Sequence, residues 1–158
     1  MSTQGNSNFL QGIPSPKDAF IIIVKTEWNS DIVDELERGC LNILDRAGAT
    51  YEIITVPGAV EIPFTIAAYK RSGRPKADAF ITLGAVIQGG TPHFDYVCKF
   101  VTEGVLQLNL TLTEPVVLGV LTLNNRVQAE ERTGGIHGHK GEEAAITAFK
   151  MIEVSRSL

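Results

Sequence analysis

Phe20-Ile21-Ile22-Ile23-Val24 is an unbroken apolar run with no polar face to offer water. A strand of this kind is covered on both sides, which parallel sheets achieve by carrying helices above and below. The next segment fits that demand. From Ser30 the apolar residues Ile32, Val33, Leu36, Cys40, Leu41, Ile43 and Leu44 recur at three- and four-residue steps, with Asp31, Asp34, Glu35 and Glu37 opposite. That spacing predicts an amphipathic helix, with Asn29 or Ser30 as its cap and Gly48 at its end.

The alternation continues along the chain. Residues 51–56 read as a second strand, followed by Pro57-Gly58 and a helix over 60–69 that Gly73 and Pro75 close. Residues 79–87 read as a third strand, and Gln88-Gly89-Gly90-Thr91-Pro92 turns into a helix carrying Phe94, Val97, Phe100, Val101, Val105, Leu108 and Leu112. Thr91 suits its cap and Pro92 its first position. Residues 116–121 form a fourth strand, 126–132 a short helix, 133–139 a Gly- and His-containing turn, and 142–154 the last helix. Strands separated by helices are joined by long crossovers, so the expected class is α/β: a three-layer α/β/α sandwich around a four-stranded parallel sheet.

At 158 residues one domain is the natural partition, and its core needs neither metal nor disulfide as a staple. Residues 1–18, rich in Gly, Ser and Asn and punctuated by Pro14 and Pro16, are read as a flexible N-terminal arm, and residues 19–158 as the domain. The balance of 14 Lys+Arg against 18 Asp+Glu leaves no basic block for nucleic-acid phosphates. No apolar run approaches the roughly 20 residues of a membrane helix, and Met1 to Ser7 lack the pattern of a secretory signal. A soluble, cytoplasmic protein without nucleic-acid or membrane partners is expected, with Cys40 and Cys98 as reduced, partly buried thiols.

In open parallel sheets ligands gather beyond the carboxyl ends of the strands. The segments 27–29, 57–61, 87–93 and 122–125 all arrive there. In Gln88-Gly89-Gly90-Thr91-Pro92-His93, small residues let backbone amides approach a ligand at a helix N-terminus, so the segment reads either as an anion seat or as a turn that needs its glycines for geometry alone. Neither GxxxxGK[ST] nor GxGxxG is present. His93 offers a group that titrates near neutrality, with Asp95 or Glu103 as conceivable neighbours, or it is a packed or solvated histidine. Trp28 offers a stacking face or is a half-buried core indole. Glu61 is a ligand acceptor or a solvated acid at a helix start, and Arg132 and Lys140 are phosphate clamps or surface ion pairs. His137 and His139 do not make a recognised zinc pattern, and no metal site is expected.

Taken together, Trp28-Asn29, Val56-Pro57-Gly58-Ala59-Val60-Glu61-Ile62-Pro63, the run from Leu83-Gly84-Ala85 through Gln88-Gly89-Gly90-Thr91-Pro92-His93-Phe94-Asp95-Tyr96-Val97, Gly119-Val120-Leu121-Thr122, Gln128-Ala129-Glu130-Glu131-Arg132 and His139-Lys140-Gly141 resemble the 6,7-dimethyl-8-ribityllumazine synthase family in order and spacing. The resemblance spans roughly residues 19–155 and implies a flavodoxin-like topology. It implies a transferase of riboflavin biosynthesis that condenses 5-amino-6-(D-ribitylamino)uracil with 3,4-dihydroxy-2-butanone 4-phosphate, releasing phosphate and water without a cofactor.

Carried over by position, Trp28 matches the aromatic that stacks on the pyrimidine, with Asn29 beside it. Ala59, Val60 and Glu61 match the ribityl-binding segment, and Val86 and Ile87 the strand end that reads the pyrimidine edge. Gly90, Thr91 and Arg132 match the phosphate site, His93 the proton-transfer residue, and Lys140 a basic residue nearby. Leu118 matches an apolar residue contributed by the adjacent subunit. Gln88 stands where many relatives carry Arg, removing a positive charge beside the phosphate turn; Trp28 stands where Phe is commonest and keeps the π-face.

The resemblance also implies a homo-oligomer, a pentamer, with the short turn over 133–141 allowing a 60-subunit icosahedral capsid. Pro14 and Pro16 argue weakly against the shell, which is still the favoured assembly. Riboflavin synthase is left open as a further partner. A non-catalytic lumazine or flavin binder would be expected to lack His93 or Arg132. An electron carrier of flavodoxin type would need a hydroxyl-rich loop where Lys25-Thr26-Glu27-Trp28-Asn29 stands.

Overall fold

The computed structural model describes Gly12, Pro14, Pro16 and residues 18–158, so the expected arm over 1–18 lies almost wholly outside the described residues. The chain alternates as β1 (Phe20–Thr26), α1 (Ser30–Ala47), β2 (Thr50–Val56), a 3₁₀ turn (Ala59–Glu61), α2 (Ile62–Arg71), β3 (Ala79–Ile87), α3 (His93–Thr111), β4 (Val116–Leu123), α4 (Val127–Glu130), β5 (Thr133–Gly135), β6 (Gly138–His139) and α5 (Lys140–Ser157). Strands β1 to β4 form one parallel sheet in the order β2-β1-β3-β4. This is the expected α/β class with its four-stranded parallel sheet, and the strand order is that of flavodoxin-like folds.

The apolar run of β1 divides between two cores. Ile21 and Ile23 pack with Leu36, Cys40 and Leu44 of α1 and Ala145 and Phe149 of α5. Ile22 and Val24 pack with Ile62 and Ile66 of α2 and Val101 and Val105 of α3. Alternate side chains of a strand point to opposite faces, so a central strand between two helical layers is apolar at every position. Small residues set how closely neighbouring helices and neighbouring strands approach. A Cβ at Gly141 of α5 would stand 1.9 Å from the Leu36 carbonyl oxygen, and one at Gly119 of β4 would stand 2.4 Å from that of Thr82.

Gly48 ends α1 as expected, at φ 69°, with its N–H donating to the Leu44 and Asp45 carbonyls. The start of α1 differs from expectation. Asn29 occupies the cap position in the left-handed region (φ 57°, ψ 43°), but its side chain makes no capping bond. Thr91 likewise does not cap α3, whose preceding residue is Pro92. The turn expected over 133–139 is a small antiparallel hairpin of β5 and β6, and α5 begins at Lys140, two residues early. Cys40 is fully buried and Cys98 partly so; both are free, and burial pushes the Cys40 thiol up to about 12. Among the described residues no helix is long and apolar enough to cross a membrane.

Candidate active site

Because the four strands are parallel, the loops after β1, β2 and β3 leave the sheet on the same side, and they enclose one cleft of about 190 Å³. Thr26, Trp28 and Asn29 line it from the end of β1, Gly58 and Ala59 from the end of β2, and Ala85, Val86 and Ile87 from the end of β3. Gly89 and Thr91 from the following turn and His93, Phe94 and Val97 of α3 close the remaining wall. The cleft stands over the ends of β1 and β3, adjacent in the sheet though separated in sequence by β2, which is the switch point where such sheets hold ligands. The fourth segment, 122–125, leaves the same edge but does not line it.

The floor is braced by hydrogen bonds between loops. Glu27 N–H donates to the Val56 carbonyl at 2.9 Å and Trp28 N–H to that of Pro57 at 3.2 Å. The Asn29 amide donates from Nδ2 to the Ala85 carbonyl at 2.8 Å, spanning from the start of α1 to the end of β3. Asparagine tolerates the left-handed backbone and carries the donor that ties the two strand ends together. Trp28 is 73% exposed, so it is not the half-buried core indole that a lone tryptophan after a strand usually is.

The opposite wall belongs to the turn into α3. Gly89 and Gly90 have no left-handed φ, and a Cβ on either would meet nothing within 4 Å. The turn therefore does not require its glycines for its own geometry. His93 is the first residue of α3 and is exposed at the cleft. Glu103 is not its neighbour: it lies ten residues, about 15 Å, further along the helix and pairs with Lys99 at 3.7 Å. Glu61 does not line the cleft, but its Oε2 lies 3.1 Å from where a Cβ on Gly58 would sit, so its side chain folds back toward the wall.

The other sequence-derived candidates lie off this cleft. Val60 and Gly90 adjoin lining residues without lining it themselves. Leu118 is 44% exposed on β4, an edge strand. Arg132 follows α4 and donates from Nη1 to the Gln128 carbonyl at 3.0 Å and to Glu131 at 3.2 Å. Lys140, at the start of α5, donates to both carboxylate oxygens of Glu143 at 2.8 and 2.9 Å. Within one chain, therefore, the aromatic platform, the β3 edge and the histidine come together, and the basic residues of the C-terminal third do not join them. The lining role of Phe94 and Val97 is not visible in the sequence, where their helical spacing reads only as core. No group of three or more His, Cys, Asp or Glu side chains able to hold a metal ion occurs among the described residues.

A family model described as 6,7-dimethyl-8-ribityllumazine synthase matches residues 18–156. A 6,7-dimethyl-8-ribityllumazine synthase of Porphyromonas gingivalis is 43% identical over 149 residues, covering 92% of this chain and 91% of the relative. One of Bacteroides fragilis is 48% identical over 139 residues, covering 86% and 96%, and one of Bdellovibrio bacteriovorus is 44% identical over 138 residues, covering 86% and 75%. With the parallel sheet in flavodoxin order, the cleft at its switch point and likeness over nearly the whole domain, the chain belongs to the 6,7-dimethyl-8-ribityllumazine synthase family.

Proposed function

We propose that the chain condenses 5-amino-6-(D-ribitylamino)uracil with 3,4-dihydroxy-2-butanone 4-phosphate to give 6,7-dimethyl-8-ribityllumazine, phosphate and water, in the cleft over β1, β2 and β3. The observation that carries this reading is the meeting of three features in that cleft: the exposed Trp28 ring, the strand end at Val86 and Ile87, and His93 at the start of a 19-residue helix. The pyrimidine stacks on Trp28 and is read by the main chain of Val86 and Ile87. The ribityl chain runs along Ala59, Val60 and Glu61, whose carboxylate accepts hydroxyl hydrogens. The phosphate lies at Gly90 and Thr91, where main-chain amides and the positive end of α3 favour an anion and no glycine Cβ stands in the way.

The primary amine attacks the ketone carbonyl, and loss of water gives the imine. Elimination then expels phosphate and leaves an enol, which tautomerises to a carbonyl; the ribityl-bearing nitrogen adds to that carbonyl, and loss of a second water closes the ring. His93 accepts and returns the protons these steps move, worth about 10² to 10⁴ in rate, while holding two reactants in register is worth up to roughly 7 to 11 kcal/mol. Juxtaposition is the larger contribution.

The cleft of one chain is smaller than the ~300–1,000 Å³ usual for small-molecule sites. We read it as completed by a neighbouring copy that brings Leu118, Arg132 and Lys140. In support, Leu118 is exposed on an edge strand, and Phe64, Tyr96, Phe100 and Leu110 expose large apolar surfaces on α2 and α3 that a second copy would cover. The assembly proposed is a pentamer, with closure into a 60-subunit shell permitted by the short connection through β5 and β6. Residues 19–158 form a single domain that works in the cytoplasm, with riboflavin synthase as a candidate consumer of the product.

Incubating the purified protein with both substrates tests the reading. Lumazine fluorescence rising in step with phosphate, one for one, is the expected result; binding of the pyrimidine with no phosphate release would make the chain a binder and overturn it.

A further inference from the structure

Arg132 is held from one side only. Its Nη1 donates to the Gln128 carbonyl at 3.0 Å and to Glu131 Oε2 at 3.2 Å, while Nε and Nη2 make no hydrogen bond or ion pair among the described residues. The same Glu131 oxygen lies 3.8 Å from His137 Nε2 in the connection between β5 and β6. The main chain is fixed as well: the Glu131 carbonyl accepts from His137 N–H and the Arg132 carbonyl from Lys140 N–H, each at 2.8 Å. Glu131 and Arg132 are both 30% exposed in their side chains, so the pair is half sheltered and still open to a ligand.

A guanidinium is a planar fork with five N–H donors, and it grips phosphate through two parallel bonds from one edge. Nη1 lies on the Cδ side of that plane. Anchoring it leaves the Nε–Nη2 edge whole, which is one of the edges suited to two phosphate oxygens. We propose that Glu131 is a positioning residue, whose carboxylate holds Arg132 by Nη1 so that the Nε–Nη2 edge is presented to the phosphate monoester of the ketone substrate. This rests on the proposed contact between Arg132 and that phosphate.

Glu131 also brings a negative charge, which by itself opposes a phosphate. The two effects have opposite signs, and substitution separates them. If Glu131 positions, Glu131→Ala raises KM for the butanone phosphate and weakens inhibition by inorganic phosphate about two- to fivefold, the size expected of a partly exposed ion pair. The KM for the pyrimidine and kcat stay within about twofold, a split that general loosening of the fold would not give. Glu131→Gln keeps the acceptor without the charge and restores most of the lost affinity. Adding Glu131→Ala to Arg132→Ala changes nothing further, because the positioned group is gone. Should the alanine variant not fold, Glu131→Met, which keeps the stem and lacks the acceptor, takes its place.

An unchanged or lowered KM for the phosphate substrate in the alanine variant overturns the proposal, as does a glutamine variant impaired as much as alanine. Arg132→Ala distinguishes this from failure of the underlying reading: if it alone leaves that KM unchanged, the assignment of Arg132 to phosphate fails first.

Discussion

Asn29 combines a left-handed backbone with a side-chain bond to the Ala85 carbonyl, and alanine supports neither. The strained φ costs about 1 kcal/mol or somewhat more, and the lost bond about 0.5–1.5 kcal/mol. Asn29→Ala is therefore expected to destabilise the fold by about 2 kcal/mol in chemical denaturation, and Asn29→Gly by only the part owed to the bond. Equal effects for the two would remove the backbone from the account. At the opposite wall, His93→Ala should lower kcat by about 10² to 10⁴ while leaving detectable turnover, since juxtaposition of the substrates survives; single-turnover kinetics would measure it. The sequence shows that Asn29 stands between a strand and a helix, and the rule for such a position is a side-chain cap. The structure uses the other property of asparagine, its tolerance of positive φ, and the amide is thereby freed for Ala85. Nothing local in the sequence distinguishes these two uses, because the Ala85 carbonyl is 56 residues away.

Elements with a long apolar period are legible in the sequence and those without one are not. Strand β3 and helix α1 carry their burial pattern in sequence, whereas β5 and β6, three residues and two, are too short to show a period. Their hairpin depends on Gly134 and Gly138 at φ 119° and 73° and on packing against α1. His139 of β6 is the contact: a Cβ on Gly39 of α1 would stand 2.0 Å from its ring. Among the described residues neither ring nitrogen meets a hydrogen-bond partner, and burial lowers its pKa below 6.5, offset in part by Glu142 of α5 and Glu35 of α1 and reinforced by Arg38. A histidine whose folded pKa is depressed favours the unfolded state once that state takes up its proton. Stability is then full above about pH 6.5 and falls as pH drops from there through the folded pKa. The thermal midpoint should decline over that interval, and His139→Asn, which cannot protonate, should decline less; parallel curves for the two proteins would contradict the assignment.

At the scale of the molecule, the alternation of strands and helices dictates parallel strands and two helical layers, and the order β2-β1-β3-β4 then brings three loops into one cleft. That much of the site is readable from the sequence. The proposed relation of Leu118, Arg132 and Lys140 to the cleft is not, because one chain does not bring them to it and the proposal rests on how whole surfaces meet. Large apolar side chains of α2 and α3 also face outward, among them Phe100, which the sequence pattern groups with the apolar face of α3. Phe100 is 56% exposed where Val101 beside it is fully buried, so the apolar face of α3 is wider than one chain uses. The pyrimidine is proposed to stack on Trp28, and the chain has one tryptophan, so its fluorescence reports on that position alone. Titrating the His93→Ala protein with 5-amino-6-(D-ribitylamino)uracil should quench this emission saturably, at one pyrimidine per chain. Saturable uptake measured by calorimetry with no change in the tryptophan signal would put the pyrimidine elsewhere and overturn the proposed stacking.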